Sequence, residues 1–323
     1  MKRFNNILCV VAPGAGRKPA LERAVTLAEN NQARLTVVGV SERVTAGIGM
    51  PAGGPVSADL QAAIVSEHER ELESLLEPYR QRLDVQAKVL VGTPFLEIIR
   101  EVLRNGRDLV IKTIEPRDWQ DRLFGSNDMH LLRKCPCPVW IMLPGEVSNY
   151  RCILAAVDFD PMQEAGEANG GNRLILELAS SLALSDFAEL HLVHAWEPVM
   201  ENLMRVFSSD LSEEQIAAHV NRERRERLAR LERLASRLRD WLGAEAYEYL
   251  SPRLHLRQGN PRKEIPALAR QIEADLVVMG TVARTGIPGF IVGNTAETIL
   301  NQIDCAVLAI KPPGFITPVT LED

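Results

Sequence analysis

The stretch Val91-Gly92-Thr93-Pro94-Phe95-Leu96-Glu97-Ile98 returns further along the chain as Gln258-Gly259-Asn260-Pro261-Arg262-Lys263-Glu264-Ile265. Working outward from this pair, three more blocks match in the same order. Ile7-Leu8-Cys9-Val10-Val11-Ala12 lies upstream of the first copy as Ile153-Leu154-Ala155-Ala156-Val157-Asp158 lies upstream of the second. Asp108-Leu109-Val110-Ile111 is matched by Asp275-Leu276-Val277-Val278, and Cys137-Pro138-Val139-Trp140-Ile141 by Cys305-Ala306-Val307-Leu308-Ala309. Four ordered matches mean two copies of one unit. Ile7 and Ile153 stand 146 positions apart, Cys137 and Cys305 168. The second copy therefore carries about 22 extra residues, expected near 160–172 and 200–220. Pro144 to Arg151 has linker character. The division expected is an amino-terminal domain over 1–145, a carboxy-terminal domain over 151–313 and a tail over 314–323.

Strands and helices alternate within each copy. In the second, Ile153–Val157 reads as a buried strand, Leu174–Leu184 as a helix and Leu190–Ala195 as the next strand. Leu228, Leu231, Leu234, Leu238 and Trp241, spaced by threes and fours, mark the apolar face of a long helix. Arg253–Arg257, Leu276–Met279 and Ala306–Ile310 read as further strands, with helices at Pro261–Ile272 and Thr295–Gln302. Continuous apolar strands joined by helices predict an α/β fold, its mostly parallel sheet covered on both faces. Ligands of such sheets bind at the carboxyl ends of strands, which directs attention to the loops after Val157, Ala195 and Met279.

Composition narrows the class. Of 323 residues, 46% are apolar and 25% charged, as in soluble globular proteins rather than disordered or fibrous ones. No apolar run reaches the ~18–20 residues of a membrane span. The short apolar stretch from Ile7 to Ala12 has neither the length nor the cleavage site of a signal peptide, which supports a cytoplasmic reading. A net charge of −6 argues against generic nucleic-acid binding. Five cysteines in so long a chain do not make a disulfide scaffold.

The most informative loop runs from Gly280 to Thr295, after an apolar strand and before a helix. Gly280 lets a ligand approach the backbone closely, and Asn294 or Thr295 is suited to cap the helix. A helix start is a natural anion site, to which Arg284 would add a charged contact. A purely structural glycine-rich loop is the competing reading.

The residues around this loop carry a resemblance. The chain resembles a tandem universal stress protein of the E type, over nearly its whole length, with Gly293-Asn294-Thr295-Ala296-Glu297 its most specific run. Nucleotide-binding members of that family carry Gly, two residues, Gly, nine residues, then Gly followed by Ser or Thr. Here the pattern falls on Gly280, Ala283, Gly293 and Asn294, so two of four positions depart from it. The resemblance implies two Rossmann-like domains, each a five-stranded mostly parallel sheet flanked by helices, packed as a pseudo-dimer. Association of two chains into a homodimer is left open. It also implies ATP with Mg²⁺ in the second copy. Asp158, after Ala156 and Val157, would face ribose, and the Ala195 backbone adenine. Met279, Gly280, Thr281, Ala283, Arg284, Gly293, Asn294 and Thr295 would surround the phosphates. An alanine where glycine serves a positive φ costs on the order of 1 kcal/mol. The first copy keeps only Gly125-Ser126: Ala12 stands in place of Asp158, and Lys112 and Glu115 are read in place of Gly280 and Ala283.

Other features read more plainly. Cys135-Pro136-Cys137 has no second Cys or His pair at zinc spacing, and Cys137 and Cys305 read as small buried residues. His191 and His194 are expected to flank a strand, His194 near the pocket mouth in a structural role. Pro13-Gly14-Ala15-Gly16-Arg17-Lys18 lacks the ending of a phosphate loop. Arginines 222, 224, 225, 227, 230, 233, 237 and 239 alternate with Glu223, Glu226 and Glu232, a solvated face. Ala46–Ile64 reads as a mobile loop or the lining of an apolar groove. No nucleophile or general base is positioned by motif, so the chain reads as a binding protein with at most slow ATP hydrolysis. The alternatives carried are a module for an apolar or acyl small molecule, and an interaction protein with vestigial sites.

Overall fold

Strands β1 (Asn6–Val10), β4 (Leu109–Thr113) and β6 (Cys152–Ala156) are buried along their whole length, which explains why their sequences do not alternate and are apolar but for Asn6, Lys112 and Thr113. The computed structural model describes residues 4–11, 17–44, 55–114, 125–145, 149–159, 170–198, 212–282 and 293–321. Its contacts divide the chain into two units.

The first unit runs β1, α1 (Arg17–Asn31), β2 (Arg34–Ser41), α2 (Pro55–Leu76), a short 3₁₀ turn (Glu77–Tyr79), β3 (Val85–Val91), α3 (Pro94–Asn105), β4, α4 (Ser126–Lys134) and β5 (Val139–Met142). It also takes β10 (Ala306–Ile310). Its strands are ordered β3-β2-β1-β4-β5-β10, all parallel except β10, which runs antiparallel to β5. The second unit runs β6, α5 (Gly170–Asp186), β7 (Glu189–Trp196), α6 (Glu213–Leu242), α7 (Ala244–Leu250), β8 (Arg253–Gln258), α8 (Pro261–Gln271), β9 (Leu276–Gly280) and α9 (Asn294–Leu300), with parallel strands ordered β9-β6-β7-β8.

Register sharpens the repeat. Ile7 pairs with Leu109 as Ile153 pairs with Leu276, and Ser41 pairs with Val91 as Trp196 pairs with Gln258. Equivalent residues are thus 146 apart on the first strand (Ile7, Ile153) and 155 on the second (Ser41, Trp196). They are 167 apart on the third (Val91, Gln258) and 168 at the last helix (Gly125, Gly293). The extra residues of the second copy therefore enter mainly between β6 and β7 and between β7 and β8. One more falls in the loop before α9. The same register corrects an expectation: Val10 pairs with Lys112 as Ala156 pairs with Met279, so Lys112 stands in the place of Met279 and Thr113 in that of Gly280.

The block that opened the analysis is a strand-to-helix turn made twice. Gly92 and Gly259 have φ of +146° and +144°, and a Cβ at either would stand within 3 Å of the following Glu97 or Glu264 side chain. Only glycine takes both the backbone conformation and the space. Gly92 N–H donates to Ser41 O and Gly259 N–H to Trp196 O, tying each turn to the neighbouring strand. Proline then occupies the first helical position of α3 and α8, where its missing N–H costs nothing.

Helix α6 begins with a capping box: Gln215 N–H donates to Ser212 Oγ, and Ser212 N–H to the Gln215 side chain. It buries Ile216, Leu231, Leu234, Ala235 and Leu238. Leu228, expected on that face, is exposed, and Trp241 is half-buried against the Arg173 guanidinium, so the buried stripe is narrower than its spacing suggested. Of Ala46–Ile64, the part from Pro55 lies in α2 and is helix rather than loop; 46–54 lie outside the described residues. α7 was not anticipated at all.

Candidate nucleotide site

The carboxyl ends of β6, β7 and β9 meet in register. Ala156 pairs with both Val193 and Met279, and Val157 N–H donates to Val193 O at 2.9 Å. The chain leaving β6 is held from two sides. Buried Asn172, in the first turn of α5, accepts from Asp158 N–H at 3.1 Å and donates to Asp158 O at 2.7 Å. His194 Nδ1 lies 3.2 Å from Val157 O. A carbonyl only accepts, so Nδ1 carries the proton and Nε2 the lone pair. That lone pair faces Arg227 Nη1 at 3.4 Å. The clamp sets Val157 as a buried turn residue and Asp158 as an exposed carboxylate at a rigid strand end.

Arg227 is the long reach of α6 into this region. Its guanidinium packs over the Trp196 ring, 5.0 Å from the centroid, and pairs with Glu223 one turn back. Phe159 meets His194 edge to face at 4.6 Å. Burial is the main reason the His194 imidazole titrates low, at about 4, and Arg227 and Arg230 push the same way against the pull of the Val157 carbonyl. His194 is therefore a neutral structural residue, as expected. It and His191, however, lie inside β7 rather than flanking it.

On the third side, β9 ends at Gly280, which is exposed. A Cβ there would stand 3.9 Å from Ile175 Cδ1, so the described residues leave room for a side chain at Gly280. Thr281 is fully buried, and its carbonyl accepts from Gly293 N–H at 3.1 Å, which returns the loop to the sheet edge. Gly293 is the N-cap of α9. This corrects the capping expectation: Asn294 and Thr295 are the first two helical residues, both exposed, and neither caps the helix. With Gly293 at the cap, no cap side chain accepts from the first-turn amides. Ala283 and Arg284 lie outside the described residues. The remaining candidates, Ala156, Val157, Asp158, Ala195, Met279, Gly280, Thr281, Gly293, Asn294 and Thr295, belong to these three strand ends and the helix start beside them.

Asn172, Phe159, Trp196 and Arg227 were not singled out from sequence. Arg227 is one arginine among eight on a helix, and nothing in its spacing marks it. Asn172 sits at the start of a helix far from the matched blocks.

The first copy fills the same place differently. Lys112, where the second copy has Met279, is buried with its Nζ 2.9 Å from Asp128 Oδ1, and Asp128 is itself buried in the first turn of α4. Gly125 and Gly293 are equivalent caps, so Asp128 corresponds to Ala296. An internal ion pair joins β4 to α4 where the second copy has two apolar residues.

The sequence matches the universal stress protein family twice, over residues 3–142 and 149–311. The chain belongs to the universal stress protein family, as a tandem member. It is 30% identical to a universal stress protein E homolog of Haemophilus influenzae over 96% of this chain and 98% of that one. It is 28% identical to universal stress protein E of Escherichia coli K12 over 100% and 99%. A crystal structure from Pseudomonas aeruginosa is 26% identical with a TM-score of 0.64, covering 96% of this chain and 94% of that chain. A universal stress protein structure from Archaeoglobus fulgidus shares the fold, with a TM-score of 0.61 at 17% identity, over 94% and 98%.

Proposed function

We propose that the protein binds an adenine nucleotide in its second copy, at the carboxyl ends of β6, β7 and β9, as a regulatory or protective member of its family. The observation that carries this reading is Asp158: an exposed carboxylate on a strand end clamped by Asn172 and His194, beside the β9-to-α9 return through Thr281 and Gly293. Its carboxylate suits the paired hydroxyls of a ribose, and the Ala195 backbone, one strand over, suits the edge of a base. The space that the described residues leave above Gly280 and the helix start at Gly293 suit phosphate oxygens. Mg²⁺ would be held chiefly by the phosphates and water, since it keeps much of its hydration shell. Asp158→Ala should leave folding intact, because the clamp uses the backbone of residue 158, while lowering ATP affinity about tenfold, the worth of a hydrogen bond to a charged group. Calorimetric titration decides: unchanged affinity removes Asp158 from the site.

A further inference from the structure

At the amino ends of the first unit's strands, where β1 and β2 begin, lies a polar cavity of about 110 Å³. Asn6 and Arg34 open these two strands and are register partners; Asp84 immediately precedes β3, Asn105 ends α3 and Arg107 follows it. Arg107 is held rigidly. Its side chain is only 8% exposed, with Nη2 2.7 Å from Glu101 Oε1 and Nη1 2.6 Å from Asn6 Oδ1. Glu101 is buried and takes a second cation, Lys88, at 2.7 Å, and Asn105 Nδ2 at 2.8 Å. That carboxylate is thus saturated. Burial would raise its pKa, but the bonds and charges of Lys88 and Arg107 hold it below the ordinary carboxylate range. What is left over is positive. Arg107 Nε is buried without a hydrogen-bond partner among the described residues and is sealed from the cavity, so Arg107 meets a ligand only through the second hydrogens of its Nη groups. Arg34 is exposed and makes no ion pair among them.

The second copy has none of this. Cys152 stands for Asn6, Glu189 for Arg34, Leu268 for Glu101 and Ala274 for Arg107, by the register of the two sheets. Glu189 reverses the charge and pairs with Arg253. The network is therefore a device of the first copy, not a property of the repeated fold.

The geometry points to a phosphate-binding site in the first copy, in which Arg107 and Arg34 grip one oxyanion and Asp84 faces its protonated oxygen. The cavity is open to solvent, so the oxyanion is inorganic phosphate or the terminal phosphate of a larger molecule, and inorganic phosphate is the probe that tests the grip itself. Guanidinium groups match phosphate oxygens as planar forks. A carboxylate among them selects hydrogen phosphate, which can donate to it, over sulfate, which at neutral pH carries no proton.

The test is calorimetric titration of the whole protein with inorganic phosphate at constant ionic strength, with sulfate as the isosteric control. Saturable phosphate binding is expected at one site per chain, with weaker sulfate binding. Arg34→Gln, an exposed change that leaves the Arg107–Glu101 pair intact, should weaken phosphate at least tenfold, as expected for losing a charge-assisted bond. Asp84→Asn should erase the preference over sulfate. Asp158→Ala should change neither, which separates this site from the nucleotide site. Absence of saturable binding, or binding equally strong in Arg34→Gln, overturns the proposal; equal affinity for phosphate and sulfate overturns the role of Asp84.

Discussion

Lys112 and Asp128 show what one residue pair decides. Both are buried, so each charge leans on the other. Lys112→Met alone should cost about 3–5 kcal/mol, because it removes the cation beside a buried carboxylate. Adding Asp128→Ala reproduces the second copy's Met279 and Ala296 and should recover most of that loss, as read from denaturant midpoints at constant slope. His194 makes a pH prediction. Its folded pKa of about 4 lies below the ordinary 6.5. As pH falls below 6.5, the unfolded chain gains a proton that the folded one refuses. Stability is therefore lost progressively down to about pH 4 and then levels. The full effect is on the order of 3 kcal/mol. His194→Gln should flatten the acid limb of the stability profile by part of that amount, and an unchanged limb would count against a buried neutral imidazole.

At the scale of elements, the repeated strand-to-helix turn is the most constrained piece of backbone. Gly259→Ala places a side chain at φ +144° and drives its Cβ toward Glu264, so it should destabilise by roughly 1–3 kcal/mol. Glu264→Ala in the same chain should relieve the crowding but not the backbone cost, leaving part of the loss in thermal unfolding. Helix α6 depends on its start. Ser212→Ala removes the acceptor for Gln215 N–H and should cost about 1 kcal/mol, with fraying seen as faster amide exchange in the first turn.

For the whole molecule, the nucleotide reading sets a linkage expectation. ATP with Mg²⁺ at 100 times its dissociation constant should stabilise the folded chain by about 2.7 kcal/mol, a rise of several degrees in melting temperature for a unit of this size. The Asp158→Ala protein should show a smaller rise at the same ATP concentration. Equal shifts in both proteins would place the bound nucleotide somewhere other than beside Asp158.

Sequence alone determined the doubling of the chain, the α/β class and the strand ends that gather the candidate site. Buried parallel strands are mostly apolar, and a turn at φ near +144° with no room for a Cβ must be glycine, so Ile153–Val157 and Gly259 carry their structure in their letters. The loss of the family pattern in the first copy was equally legible, and so, from the match of Ile111 with Val278, was Lys112 in the place of Met279, which the register bears out. The tertiary structure decided the pairings. Only it joined Lys112 to Asp128, Arg227 to His194 and Arg107 to Glu101. Such pairs come from elements 6 to 33 residues apart in the chain, on no shared period. A polar residue in an isolated sequence looks the same whether it meets water or a buried partner, and burial, which makes the partner obligatory, is settled only when helices pack on the sheet.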